Sequence, residues 1–497
     1  MVASWAFFLS DRAPSTNAAL IGFPLDDAWI HQVYARSLAQ EYGFHYNTGV
    51  PEGGMTSPLW VVLLAPLHLV SEGHTVRIVL GTKLLDLMFG LSGMVLLYAI
   101  ALELELGELA GILAAILFAI DPSLGFARAS GMEVALFIAL VLLALLYALR
   151  GRVVFASAVA GLTIVARPEG VVLLPLFALA VLKARQGRQP RPGTIAIAVL
   201  LAILPAAAYS AFCLHATGQP LPNSFYAKFA SENPFRPRLL AFIWKNYVHN
   251  DLPYFLFEAG TLAALLGCVR ILRRAGVRGA LVLGVGVVTF LAAVESRQFA
   301  RGHYFYWERW IMPWTPYLLL AMAAGVEELR SGLVSLRRST IRLSAAPAAA
   351  WSLAAGAIVL ALLAPVPRAL RERADLFAWN AQNIEEMNVT LGRWIDATLP
   401  ANAVVAVNDA GALRYFGRRT TIDLIGLNDH RILQLERYHG LEALLRMGID
   451  YVVVFPKTFK DLVDQMPLHP IYSVKADYYT VVEGPQDVMT VYQMAKP

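Results

Sequence analysis

Two carboxylates stand side by side at Asp26-Asp27, after an apolar stretch and at the start of a run with helical spacing. Adjacent carboxylates at a membrane edge repel, so one is expected to carry a raised pKa unless a cation neutralises it. Such a group can take a proton from a sugar hydroxyl or hold a cation. The plain alternative is that Asp26 caps the following helix, a place Asp favours. Other ionisable residues recur in short polar segments further along: Arg128 and Glu133, then Arg167 and Glu169, then Lys228, then Arg301, His303 and Arg309. An acid pair with a set of cations beside lipid suits a reaction on a lipid-linked phosphate. Arginine meets phosphate through two parallel N–H donors. Each group also has a structural alternative, as a salt bridge between helices or a solvated loop charge.

These residues must be positioned by a membrane framework. The chain has 497 residues, 57% hydrophobic and only 15% charged. The charge is uneven: about 13% before Pro367 and about 23% after it, where a soluble chain usually has about a quarter. This predicts a polytopic α-helical membrane domain over 1–366 and a soluble α/β domain over 367–497. It excludes a soluble enzyme, a fibrous protein and a disordered chain. The net charge of +5 is assigned to loops between spans, so no nucleic-acid partner is expected.

Apolar runs are read at 78–101, 108–120, 132–149, 153–166, 170–182, 194–215, 254–271, 279–294, 310–327 and 344–366, about 10–11 spans in all. Leu59–Val70 is too short to span and reads as interfacial or re-entrant. Asp11 and Arg12 interrupt residues 1–23, so no clean span or signal peptide is expected there. The links 183–192, 270–278 and 330–342 carry four Lys/Arg each. They are placed in the cytoplasm together with Arg150, Arg152 and 101–108. The acid pair, the other polar segments and the C-terminal domain then share the exterior face. Ile30, Val33, Tyr34, Leu38 and Tyr42 suggest a helix lying on the membrane surface. Lys83 and Asp86, inside a span, are expected to pair. Cys213 and Cys268 make neither a disulfide framework nor a zinc site.

The run Asp26-Asp27, Tyr34-Ala35-Arg36-Ser37-Leu38-Ala39, Tyr42-Gly43, Asn47-Thr48-Gly49, Glu52-Gly53 and Thr56-Ser57-Pro58-Leu59-Trp60 resembles the first exterior loop of bacterial GT-C glycosyltransferases. The likeness is greatest to the terminal arabinofuranosyltransferases. Ser130-Gly131-Met132-Glu133, Ala166-Arg167-Pro168-Glu169-Gly170, Pro222-Asn223-Ser224-Phe225-Tyr226-Ala227-Lys228, Asn408-Asp409-Ala410-Gly411-Ala412 and Ile422-Asp423-Leu424-Ile425-Gly426-Leu427 follow in the same order. Gly54-Met55 replaces an aromatic expected before the Thr-Ser-Pro, and the family has a full helix before the acid pair. The resemblance implies transfer of a sugar, arabinofuranose among the candidates, from a polyprenyl-phosphate donor to a glycan, lipid or protein acceptor of the cell envelope. It implies an active site facing the exterior of the plasma membrane, with Asp26 or Asp27 as general base in an inverting displacement. Arg128, Glu133, Arg167, Glu169, Lys228, Arg301, His303 and Arg309 are the expected substrate and phosphate contacts. No cofactor is required, and a divalent metal is left open.

In the C-terminal domain a helix is expected over 370–397. Strands are expected at 403–407, 420–424, 451–455, 471–475, 479–483 and 488–494, and helices near 410–416, 431–447 and 457–465. The domain covers the active site, binds an acceptor, or acts as a structural cap. A flippase for lipid-linked saccharide is the rival function. It would place its charges near the bilayer midplane rather than at one mouth.

Overall fold

The computed structural model describes residues 22–184, 190–229, 258–295, 309–338, 356–435, 444–481 and 486–495. The acid pair opens α1 (Asp26–Ala39), followed by a small hairpin of β1 (His45–Asn47) and β2 (Val50–Pro51). The helices α2 (Pro58–Val70), α3 (Thr75–Glu103), α4 (Glu108–Ile120), α5 (Pro122–Ala127), α6 (Val134–Leu149) and α7 (Val153–Ala166) come next. A 3₁₀ turn, Pro168–Leu173, leads into α8 (Leu174–Ala184), then α9 (Pro192–Thr217), α10 (Asn223–Phe229), α11 (Glu258–Glu295) and α12 (Thr315–Arg338). By length and composition α3 and α9 are each able to cross a membrane, as is the stretch Gly260–Ala292 of α11 before its break is considered, and α2, α4, α6 and α7 are shorter apolar helices.

Two spans expected over 254–294 form one element with a break. Gly276 has φ +51 and ψ −127, a region closed to side chains with a Cβ. A Cβ on Gly267 or Gly286, on either side of the break, would meet Ala321 or Tyr317 of α12. Those two α12 residues are four apart, so α11 folds back at Gly276 and lays both limbs on α12. The crossing is tight: a Cβ on Gly267 would stand 1.6 Å from the Ala321 carbonyl oxygen, and one on Gly325 1.8 Å from that of Ala263. Small residues let membrane helices approach in this way.

One end of the bundle gathers the expected cytoplasmic links. Glu103 pairs with Arg150 at 3.0 Å and with Arg278 at 2.7 Å. Arg270 pairs with Glu328 at 2.8 Å and donates to the Leu106 carbonyl. Most of the run expected at 344–366 lies outside the described residues, as do residues 1–21.

The C-terminal domain begins with α13 (Val366–Asn383), continued through a π-helical turn, Ile384–Val389, into α14 (Thr390–Thr398). Then follow β3 (Val404–Val407), α15 (Ala412–Gly417), β4 (Thr420–Asp423), α16 (His430–Gln434), β5 (Tyr451–Val454), α17 (Lys460–Gln465), β6 (Leu468–Lys475) and β7 (Val488–Met494). The sheet order is β4-β3-β5-β7-β6. β3 runs parallel to β4 and β5, and β7 antiparallel to β5 and β6. The strand expected at 479–483 is not formed over its described part, 479–481. There Thr480 instead donates its N–H to Asn383 Oδ1 at 2.9 Å.

Two expectations are corrected by packing. The apolar stripe read on α1 is not turned to lipid along its length: Val33 and Tyr34 are buried, and the C-terminal domain packs on the helix. Trp29 is buried with its ring 4.9 Å from that of Tyr415 and 4.8 Å from that of Phe416, both in α15. Lys83 and Asp86 share no ion pair among the described residues. Lys83 Nζ lies 5.0 Å from the centre of the Phe377 ring of α13, and Asp86 accepts the Gly131 N–H at 3.0 Å.

Candidate active site

Leu25, not Asp26, occupies the cap position of α1, and neither acid caps its own helix. Asp26 serves a different helix. Its Oδ2 accepts the Gly411 N–H at 2.7 Å and its Oδ1 the Ala412 N–H at 2.8 Å, at the start of α15. Asn388 donates to both Asp26 Oδ1 and Asp409 Oδ2, at 3.2 and 2.8 Å. Burial first, and then the charge of Asp409, raise the pKa of Asp26 well above the ordinary carboxyl range, against the pull of the two backbone donors. Burial also lifts Asp409 to about 6, with the charge of Asp27 acting the same way.

Asp27 faces the membrane domain. Its Oδ2 accepts from Arg309 Nη2 at 2.6 Å, and 28% of its side chain stays accessible. Arg309 is itself buried and borders a network built on helix ends. Glu133 sits at the start of α6, where the helix dipole favours a negative charge. It meets Arg167, at the end of α7, at 3.3 Å and His31 of α1 at 3.3 Å. Arg167 also binds Glu169 at 2.9 Å and donates to the Arg309 carbonyl at 3.4 Å. Trp310 lies against both guanidinium groups, 4.6 Å from Arg167 and 5.7 Å from Arg309.

The structure thus brings Asp27, Glu133, Arg167, Glu169 and Arg309 together. Arg128 is spent elsewhere. Its guanidinium donates to the Ala119 carbonyl at 2.9 Å and to that of Phe118, closing the end of α4. That is a capping task, so the site is built without it. Lys228 lies on α10, with its side chain outside the described residues, and Arg301 and His303 also lie outside them.

Several residues of this region carry no signal of their own in the sequence: His31, Asn388, Trp310 and His430. His430 joins a second polar group. Its Nδ1 lies 3.0 Å from Glu52 Oε2, and Asn223 Nδ2 donates to Glu52 Oε1 at 2.6 Å. Glu52, Asp429 and His430 bring their ligand atoms within 4.8 Å of one another and are the described residues able to hold a metal ion. Asp429 is also engaged with Arg431 at 2.6 Å.

The first-loop segment and the C-terminal domain meet across the domain junction. Tyr34 donates to Asn428 Oδ1 at 3.1 Å, and Tyr46 to the Ala410 carbonyl at 2.6 Å. Asn47 exchanges two hydrogen bonds with the backbone of Thr421 in the edge strand β4, at 2.8 and 2.9 Å. It covers a strand edge that would otherwise be open.

A family model described only as a domain of unknown function (DUF8728) matches residues 379–492. A search of curated proteins finds no match to the sequence. Solved structures match over most of the chain. ArnT from Cupriavidus metallidurans in the apo state is 14% identical with a TM-score of 0.57, covering 99% of this chain and 96% of that one. The Archaeoglobus fulgidus oligosaccharyltransferase complex with Zn and sulfate is 12% identical with a TM-score of 0.58, over 92% and 67%. Arabinofuranosyltransferase AftD from Mycobacteria is 16% identical with a TM-score of 0.52, over 100% of this chain and 41% of that one. The chain therefore has the GT-C glycosyltransferase fold, a helical membrane bundle followed by a C-terminal sheet domain.

Proposed function

We propose that this chain is an integral-membrane glycosyltransferase. It moves a sugar from a polyprenyl-phosphate donor to a cell-envelope acceptor at the exterior face of the plasma membrane. The membrane domain, 1–366, carries the reaction, and the domain from 367 holds the first loop in place. The observation that carries this reading is Asp27. It is a partly accessible carboxylate at a helix start, oriented at 2.6 Å by an otherwise buried arginine. Beyond that, a structure of ArnT, a protein of the same fold, is described as bound to undecaprenyl phosphate.

The acceptor O–H gives its proton to Asp27. The oxygen attacks the anomeric carbon on the side opposite the phosphate, and the bond from that carbon to the phosphate oxygen breaks. The configuration inverts and polyprenyl phosphate leaves. Arg309 orients Asp27 and places positive charge beside the reacting groups. Asp26 acts as a positioning residue that locks α1 to α15.

The test is transfer in proteoliposomes. Purified protein is supplied with radiolabelled polyprenyl-phosphate sugars and envelope extracts. The arabinofuranose donor is tried first, because the first-loop motif resembles that family. Label should move to the acceptor with release of polyprenyl phosphate. Lipid-linked sugar that only crosses the bilayer intact would establish the flippase instead.

A further inference from the structure

The far side of α1 borders a cavity that the transfer reaction does not use. It encloses about 500 Å³ between α1, the β1–β2 hairpin, the end of α2 and α15, within the range of about 300–1,000 Å³ common for small-molecule sites. Arg36, nine residues after Asp27, lies ~2.5 helical turns on, which puts it on the opposite face of α1.

The cavity wall is cationic. Arg36, Arg414 and Arg418 line it, with His45 and His68, and no Asp or Glu does. Among the described residues none of the three arginines is paired with a carboxylate. Two are fixed in place. Arg36 donates to the Tyr415 carbonyl at 2.8 Å with its guanidinium 4.2 Å from the centre of that ring, and Arg414 donates to the Tyr46 carbonyl at 3.0 Å. Burial and the neighbouring Arg414 and Arg418 push Arg36 down to about 10. Three like charges around one space call for an anion.

One stretch of the cavity's rim is apolar. Leu69 is 65% exposed and Val70 beside it 74%, at the end of an apolar helix where lipid is the natural cover.

We propose that this cavity is a binding site for the phosphate headgroup of an anionic lipid, separate from the transfer site. The phosphate sits among Arg36, Arg414 and Arg418 and leaves its acyl chains over Leu69 and Val70.

The test uses the purified full chain in neutral detergent, with phosphatidylglycerol, phosphatidylcholine and inorganic phosphate as probes and native mass spectrometry as readout. One phosphatidylglycerol should be retained per chain, with at least roughly tenfold preference over phosphatidylcholine. R418E should lower retention by roughly tenfold, and R36Q should lower it as well. Where R418E fails to fold, R418Q is read in its place, since Arg418 is exposed. Displacement of the lipid by millimolar inorganic phosphate would support the anion site and assign it to free phosphate as well. Equal retention of the two lipids, or retention unchanged in R418E or R418Q and in R36Q, overturns the proposal.

Discussion

The Gly411 N–H donates to Asp26 Oδ2 at 2.7 Å, across 385 positions of sequence. The contact leaves no room for a side chain on Gly411. A Cβ there would stand 2.0 Å from the Asp26 carbonyl oxygen and 2.8 Å from its Oδ2. Gly411→Ala should therefore separate α1 from α15 and lower stability by about 1–3 kcal/mol, as overpacking does. The check is the thermal midpoint in detergent. An unchanged midpoint would mean that this contact does not hold the two domains together.

Asp409 gives a pH signature. Its carboxyl is lifted from 3.8 to about 6 in the folded protein, mainly by burial. The folded state thus holds this proton more tightly than the unfolded chain. Stability from that proton is complete below about pH 4 and is lost as pH rises through 6. Asp409→Asn cannot titrate and should flatten the fall of the melting temperature between those values. The same slope in the variant would assign the fall to other groups, Asp26 and Asp423, whose carboxyls burial raises as well.

The crossing of α11 and α12 should be intolerant of the smallest side chain. Gly267→Ala places a methyl 1.6 Å from the Ala321 oxygen, whereas at Gly284 the nearest atom is a Leu176 methyl at 3.8 Å. The first variant should lose monodisperse protein on gel filtration, and Gly284→Ala should behave as the parent. Equal behaviour of the two would refute the close approach.

Arg309→Ala should lower transfer by about two to three orders of magnitude, as for loss of a charge-stabilising donor. The readout is initial rate in proteoliposomes at saturating donor. A rate within twofold of the parent would make Arg309 a structural ion-pair partner only.

Local apolar patterning made much of the membrane bundle legible. The runs 108–120 and 153–166 coincide with α4 and α7, because Gly107 and Arg167 mark their ends. Five of the residues picked out in sequence, Asp27, Glu133, Arg167, Glu169 and Arg309, do come together. The pairing of such residues was not legible. Arg128 and Arg167 look alike in sequence, each beside a helix end at the same mouth. One closes α4, while the other joins the network around Glu133. The interlock of the first loop with the C-terminal domain was invisible for a different reason. Asn47 and Thr421, like Tyr34 and Asn428, meet only through the tertiary fold, some hundreds of positions apart. Of the motifs of the resemblance, Asp26 and Gly411-Ala412 meet at that junction, whereas Glu133, Arg167 and Glu169 form the network beside it.

The two acids of the pair should separate by role. A general base must present a lone pair to the acceptor hydroxyl, and a carboxylate in that task contributes about 10²–10⁴ in rate. Asp26 has both oxygens engaged by Gly411, Ala412 and Asn388. Asp27 has one oxygen on Arg309 and keeps accessible surface. Asn preserves the size of either residue but takes no proton. Asp27→Asn should therefore leave the melting temperature near that of the parent and cut transfer by about 10²–10⁴. Asp26→Asn sets an amide NH₂ against donors that need an acceptor. It should lower the melting temperature and weaken protection of α15 in hydrogen exchange, with transfer falling in step with that loss. Rate and stability measured on both variants decide the assignment. If Asp26→Asn abolishes transfer in a protein that melts normally, while Asp27→Asn turns over at the parent rate, then the base is the carboxylate facing the C-terminal domain. Asp27 would in that case be no more than the ion-pair partner of Arg309.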